Sequence, residues 1–293
     1  MILYTNGNGS FEELEWHRNP ITDDQIAVKA VFAGVCRSDI DMMIGKFGPL
    51  PMDMSGHEGL AQVIEVGSKV SNVSIGDYVA VHGYGGAYAD EYNVKDGDFV
   101  TVPTAEPKYI LEPVACGINV ILQAEELISK KSGNDKRAVI IGSGFLAWVA
   151  FNTIKLLGLN LEVVVLGNSN KDLWGDILTN EATGQFDIVI DLVGRNFINV
   201  QNEALIINGV AKSTSKEEEE ELLWKACTTV RPSPRTNMFR KSMLLAREWI
   251  QTGLLDVDHF WSKGYNRETE WRQAFEDGLN RPANYSRGYI SWL

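Results

Sequence analysis

Short apolar runs separated by glycine turns fill the first third of the chain: QIAVKAVFAGV, GLAQVIEVGS, GDYVAVHG, AYADEYNVK and DFVTVP. Runs this short and this closely spaced predict an all-β unit. The texture changes near residue 117. NVILQAEELIS predicts a helix, SGNDK a polar break, and RAVIIGSG a buried strand running into glycines. AWVAFNTIKLLGL follows at helical period, and LEVVVLG, FDIVIDLVG and ALIINGVAKS read as further wholly apolar strands. Continuous Val, Ile and Leu runs alternating with helices predict a parallel sheet covered on both faces, so the second domain is α/β. SMLLAREWIQTGLLDV and ETEWRQAFEDGL predict two amphipathic helices whose tryptophans belong to the core. The acidic run from Glu217 to Glu221 predicts a solvated helix start rather than an interaction tail.

Composition narrows the class without naming a function. A chain of 293 residues is expected to form two domains, and 44% hydrophobic with 23% charged residues is globular rather than disordered or fibrous. A net charge of -12 argues against general nucleic-acid binding, which needs accumulated basic surface. No apolar run is long enough to span a bilayer, and MILYTNGNGS lacks the basic and apolar regions of a signal peptide. The expected location is cytoplasmic, with no membrane partner. Cys36, Cys116 and Cys227 are odd in number and far apart, so reduced thiols are expected rather than a disulfide framework. With no CxxC pair, a four-cysteine zinc knot is excluded.

Three stretches carry candidate chemistry. GSGFLA, Gly142 to Ala147, follows the strand RAVII and opens a helix. In that context Gly142 makes the tight turn, Gly144 lets a pyrophosphate approach the backbone, and Ala147 permits close packing of helix on strand. The amides at the helix start, Phe145 and Leu146, would hold the phosphates. A tight turn with no ligand is the plainer alternative. In such a unit the second strand normally ends about 20 residues on in an acidic residue that binds the adenine ribose. Gly167 stands there instead, amid Asn168, Ser169 and Lys171. Without the carboxylate a 2′-phosphate is not repelled, so NADP(H) is preferred to NAD(H), although Gly167 also suits a plain turn. MSGHEGL sets His57 and Glu58 between two glycines, GVCRSD supplies Cys36, and ILEPVACG supplies Glu112 and Cys116. Thiolate, imidazole and carboxylate are zinc ligands, and three of them with an open fourth place make a catalytic site. Each alone is weak, since a lone cysteine or histidine is usually packing.

Taken in order, GVCRSD, GHE, VIEVGSKVSNVSIGDYVAV, EPVACG, GSGFLA and FDIVIDLVG resemble the zinc-dependent medium-chain alcohol and polyol dehydrogenases. The resemblance runs over nearly the whole chain, ending in TGLLDVDHF and AFEDGL. It implies a GroES-like β-rich catalytic domain over 1–117 and 236–293 and a Rossmann domain, with a doubly wound parallel sheet, over 118–235. It further implies one catalytic zinc in a cleft between them, held by Cys36, His57 and Glu112, with Cys116 as the competing ligand. Glu58 resembles the family's carboxylate beside the metal. Ser38 resembles the hydroxyl that passes the proton, Asp39 the carboxylate that orients a ligand histidine, and Arg37 a pyrophosphate contact. As ordinary structure the first two would be helix caps and the third a surface charge.

Departures from the pattern shape the expectation. The four-cysteine structural lobe is missing, because HGYGGAYADEY joins the flanking strands directly, so no structural zinc is expected. KDLWGDILTNEATGQ is too short for a full helix-strand-helix passage, so one sheet strand should be absent or rudimentary. Asp41 stands where the family's relay ends in histidine, so proton release should go by Asp41 or water. His82 and Tyr84, beside the shortened loop, are candidates for the substrate pocket. The resulting expectation is an enzyme that moves a hydride between a small alcohol or aldehyde and NADP(H), as a homodimer or homotetramer. A zinc-free quinone or enoyl reductase and a non-catalytic nucleotide-binding protein are the alternatives.

Overall fold

The computed structural model describes the chain from Met1 to Leu293 apart from residues 47–50, 84, 134 and 212. The chain divides into two compact units, Met1–Pro113 with Met243–Leu293, and Val114–Ser242.

In the first unit β1 (Ile2–Tyr4) and β2 (Glu12–Leu14) form an antiparallel pair that the apolar pattern did not reveal. The long β3 (Gln25–Gly34) is buried along almost its whole length, as its run of apolar residues requires of a central strand. It leads through Val35 and Cys36 into α1 (Arg37–Met43). β4 (Gly59–Val66), β5 (Tyr78–Val81), β6 (Glu91–Lys95) and β7 (Phe99–Val102) follow, and residues 82–90 join β5 to β6.

Two helices replace the single one expected over NVILQAEELIS: α2 (Glu112–Leu122) and α3 (Glu125–Lys131), divided where Ala124 leaves helical geometry (φ -111°, ψ 1°). Next come β8 (Arg137–Ile141), α4 (Phe145–Leu156), β9 (Glu162–Leu166), α5 (Lys171–Trp174), β10 (Leu178–Thr179), β11 (Phe186–Asp191), β12 (Val200–Asn208), α6 (Lys216–Trp224) and β13 (Thr228–Val230). The sheet order is β10-β9-β8-β11-β12-β13, and every neighbouring pair is parallel. Two residues of β10 are all that stands where a full strand was in doubt.

A second shortening escaped the sequence pattern. A parallel crossover normally takes about a dozen residues or more, usually a helix. Between β11 and β12 only residues 192–199 intervene, and Phe186 is in register with Val200, so this segment returns along the strand without a helix. Asp191 holds its turn by accepting from the amides of Val193, Gly194 and Arg195. Phe197 then packs on Phe186, and its amide donates to Glu218 of α6 at 3.1 Å. Glu218 is therefore 1% exposed, which corrects the picture of a wholly solvated acidic run. The helix itself begins where expected, with Ser215 capping the amide of Glu218.

The chain closes with α7 (Met238–Gln251), β14 (Trp261–Asn266), α8 (Trp271–Asn280) and β15 (Arg287–Ser291). β14 and β15 return to the first unit's sheet, in the order β14-β15-β3-β4-β5-β7, with β6 also paired to β3. Trp271, Phe275, Tyr88 and Phe11 share that unit's core. In the second unit apolar side chains fill both faces of the parallel sheet, one under α4 and the other under Phe197 and Leu222.

Candidate metal and nucleotide sites

Strand register brings distant residues together at one end of the first unit's sheet. Ala33 of β3 pairs with Gly59 of β4, and the Gly34 amide donates to the Glu58 carbonyl at 2.8 Å. Cys36, just past β3, therefore faces His57 and Glu58, just before β4. β15 is equally in register, with Tyr289 opposite Gly34 and the Val35 amide donating to Gly288, so Arg287 reaches the same place. Ligand atoms of Cys36, His57 and Glu58 all lie within 4.8 Å of one another.

Each side chain in this cluster has an identifiable partner. Asp39, fully buried, accepts the Cys36 amide at 2.8 Å and the Tyr88 hydroxyl at 2.8 Å on Oδ2, and Oδ1 stands 3.4 Å from His57 Nδ1. His57 Nε2 is turned towards Ser38 Oγ at 3.4 Å. Burial alone would lower the His57 pKa, but the charge and hydrogen bond of Asp39, with Cys36 beside it, raise it well above the usual histidine value. Burial, together with the charge of Glu58, pushes the Cys36 thiol up. The same burial and the charge of Asp39 hold the Tyr88 phenol well above its usual range, so it remains a donor.

Glu58 is 1% exposed and pairs with the Arg287 guanidinium, which lies 5.1 Å from the centre of the Trp261 ring. Burial would make Arg287 easier to deprotonate, yet the charges of Glu58, Cys36 and Glu112 hold its pKa up. Gly34 has no side chain because a Cβ there would collide with the Glu58 carboxylate. The remaining oxygen, Glu58 Oε1, is buried without a hydrogen-bond partner. A thiolate, an imidazole and a carboxylate with a spare lone pair form a borderline-soft set that suits zinc. The residues present fit the metal.

The other candidates divide. Glu112 is buried at the start of α2 in the first unit, but it is not part of the 4.8 Å group. Cys116, half-buried on the same helix, belongs to the second unit. Asp41 is held by Lys46 at 2.9 Å and by Arg37 at 3.2 Å. His82 sits at a strand end with Nε2 3.2 Å from the Gly97 carbonyl. Tyr84 lies outside the described residues. Tyr88 and Arg287 were not singled out in the sequence: the first lies in the loop that replaces the cysteine lobe, and the second has no motif around it.

In the second unit, Gly142 has φ +116°, a conformation that favours glycine, and a Cβ there would come within 2.9 Å of Val193. Gly144 caps α4, no side chain caps that end, and a Cβ on Gly144 would meet nothing within 4 Å. Open space above the start of a helix of this length is what a phosphate needs to reach backbone amides. Gly167 has a packing reason as well, because Ser143 fills the space beside it. Ser143 Oγ lies 2.8 Å from Ser169 Oγ and accepts the Ser169 amide, while its carbonyl accepts Asn170 and Trp174. Asn168, Ser169 and Lys171 are exposed around this latch. The latch itself was not legible from the glycine motif.

A GroES-like domain and a Rossmann sheet in one chain, with a sulfur, nitrogen and oxygen cluster at the end of the first sheet, define a dehydrogenase-type architecture. The alcohol dehydrogenase GroES-like domain matches residues 22–104. Glucose 1-dehydrogenase 2 of Vulcanisaeta moutnovskia is 25% identical over 214 residues, covering 58% of this chain and 61% of the relative. D-arabitol-phosphate dehydrogenase of Enterococcus avium is 24% identical over 223 residues, covering 65% and 60%. The chain thus spans less than two thirds of the length of these relatives. Among solved structures, an alcohol dehydrogenase from a Thermus species superposes with a TM-score of 0.76 at 16% identity, over 99% of both chains. Galactitol-1-phosphate dehydrogenase from Escherichia coli gives 0.74 at 16% identity, over 99% of both chains. Residues 22–104 are an alcohol dehydrogenase GroES-like domain, and the whole chain has the fold of these solved dehydrogenases. Among the described residues no helix is long and apolar enough to cross a membrane.

Proposed function

We propose that the protein is an oxidoreductase that moves a hydride between a small alcohol, polyol or sugar and NADP(H), using one zinc held by Cys36, His57 and a carboxylate. The observation that carries this reading is the convergence of Cys36, His57 and Glu58 within 4.8 Å, with an unpartnered carboxylate oxygen among them. Glu58 stands in that group, and Glu112 is the alternative carboxylate that the family resemblance implies.

Bound there, zinc would supply a Lewis acid that polarises a carbonyl and lowers the pKa of an alcohol. The chain's own residues do the rest. Asp39 Oδ1 stands 3.4 Å from His57 Nδ1, and its charge favours the proton on Nδ1, the tautomer that turns the Nε2 lone pair outwards. Ser38 Oγ, 3.4 Å from that nitrogen, is placed to accept the substrate hydroxyl proton and pass it on. Arg287 pairs with Glu58 and fixes the direction of its carboxylate. On the nucleotide side, the amides at the start of α4 above Gly144 receive the pyrophosphate, and Ser169 with Lys171 receives the 2′-phosphate. Relatives named for glucose, arabitol phosphate and galactitol 1-phosphate support a polyhydroxylated substrate class.

The test is nicotinamide absorbance with zinc-loaded protein, NADP+ or NAD+, and a panel of sugars, polyols, sugar phosphates and simple alcohols, with the corresponding carbonyls and NADPH in reverse. Turnover that Ser38→Ala reduces and that prefers NADP+ is expected. Tight nucleotide binding with no turnover on any compound in either direction would contradict the reading and leave a non-catalytic binder.

A further inference from the structure

We propose that Tyr88 is a positioning residue for the metal site: its hydroxyl fixes Asp39, and through Asp39 it fixes which nitrogen of His57 faces the metal. This rests on the zinc reading above. Asp39 has two carboxylate oxygens and three claims on them. Oδ2 takes both the Cys36 amide at 2.8 Å and the Tyr88 hydroxyl at 2.8 Å, which leaves Oδ1 for His57 Nδ1 at 3.4 Å. One donor alone would let the carboxylate pivot about its own axis. Two donors from different directions on the same oxygen stop that rotation, and the imidazole then has one fixed acceptor. The single phenol proton has Asp39 Oδ2 as its nearer acceptor at 2.8 Å and the Gly34 carbonyl as a second one at 3.0 Å.

Tyr88 also touches both segments that deliver the ligands. Its amide donates to the Ser55 carbonyl at 3.2 Å, two residues before His57. Its ring lies so close to Gly56 that a Cβ there would come within 2.8 Å of it, and Gly56 already has φ +79°. On its other sides the ring meets the edges of Phe11 and Phe275, with centroids 5.8 and 5.4 Å away. The ring therefore wedges the turn that carries His57, while the hydroxyl sets the helix start that carries Cys36 and Asp39. The hydroxyl donates to Asp39 and lies beside the Gly34 carbonyl, so it acts on the ligands through Asp39.

The experiment compares zinc affinity by chelator competition, and the visible spectrum of the cobalt(II) form, for wild type, Tyr88→Phe, Asp39→Asn, the double variant and Phe11→Leu. Tyr88→Phe keeps the ring contacts and removes one hydroxyl. Loss of a partner behind a ligand histidine typically weakens metal binding 10- to 100-fold. Tyr88→Phe is expected to weaken zinc by about tenfold and shift the cobalt bands. Asp39→Asn should weaken it at least as much, and the double variant should match Asp39→Asn alone. Phe11→Leu, which loosens the same ring but keeps the hydroxyl, should lower the melting temperature without moving the cobalt bands.

Unchanged zinc affinity and cobalt spectrum in Tyr88→Phe would overturn the proposal. So would multiplicative losses in the double variant, or a cobalt shift in Phe11→Leu equal to that in Tyr88→Phe. Failure of the wild type to bind zinc or cobalt at all would instead overturn the metal reading on which this one rests.

Discussion

Adding a single methyl group at Gly167 tests why the family's ribose-binding carboxylate is missing. In Gly167→Ala the new Cβ would fall on Ser143 Oγ, 2.6 Å from its Cβ and 3.1 Å from its nitrogen. Ordinary carbon contacts begin near 3.5 Å. Ser143 cannot step aside freely, because it is 5% exposed and hydrogen-bonded to Ser169, Asn170 and Trp174. Overpacking of this kind costs about 1–3 kcal/mol, and each hydrogen bond given up about 1 kcal/mol more. Reduced freedom of the unfolded chain returns about 0.4–1 kcal/mol. The net loss should be about 2–3 kcal/mol, read in urea as a lower midpoint at unchanged slope. Ser143→Gly in the same chain removes the obstacle, so the double variant should lie within about 1 kcal/mol of Ser143→Gly alone. A Gly167→Ala protein as stable as wild type would refute this account of the missing carboxylate.

Three further outcomes follow from the same contacts. Gly144→Val adds side chain into open space, so nucleotide affinity measured by calorimetry should collapse while the melting temperature moves little; retained affinity would count against phosphate binding at this helix start. Arg287→Met leaves buried Glu58 uncompensated and should cost about 3–5 kcal/mol in denaturant, whereas adding Glu58→Gln should recover part of that loss. Equal stability of the single and double variants would disprove the pairing. Asp277 accepts Tyr265 at 2.6 Å, Lys263 at 2.9 Å and Gln273 at 2.7 Å, and although burial pushes its pKa up, these partners bring it below the usual value. A depressed carboxyl stabilises the fold above its unfolded pKa, roughly pH 4, and loses that contribution as pH falls through the lower folded value. The stability gap between wild type and Asp277→Asn should therefore be full at neutral pH and close in acid; a gap independent of pH would contradict it.

Much of this was legible in the sequence where the signal is local. The switch from short runs between glycines to wholly apolar strands marks the change from one sheet to the other, and GSGFLA carries its own turn, helix start and open space. The resemblance also pointed to Cys36 and His57, which the fold brings together with Glu58. What stayed hidden depends on register. Arg287 and Glu58 are 229 positions apart, and only the pairing of β15 and β4 on either side of β3 joins them. Tyr88 reads as a loop residue until its hydroxyl is seen on Asp39. The direct return from β11 to β12 could have been counted, since residues 192–199 are too few for a crossover helix, but RNFINVQNE has no apolar period to draw attention to it. Glu112 shows the opposite limit: the EP pair suggests a ligand, while the geometry groups Glu58 with Cys36 and His57.

The most direct test of the central claim is zinc per chain by elemental analysis of protein purified without added metal, alongside Cys36→Ala, Glu58→Gln and Glu112→Ala. About one zinc per wild-type chain is expected. It should be lost in Cys36→Ala and reduced in whichever carboxylate variant removes the third ligand. A wild type that holds no zinc and gains none on addition, or a Cys36→Ala protein that holds as much as wild type, would contradict the account.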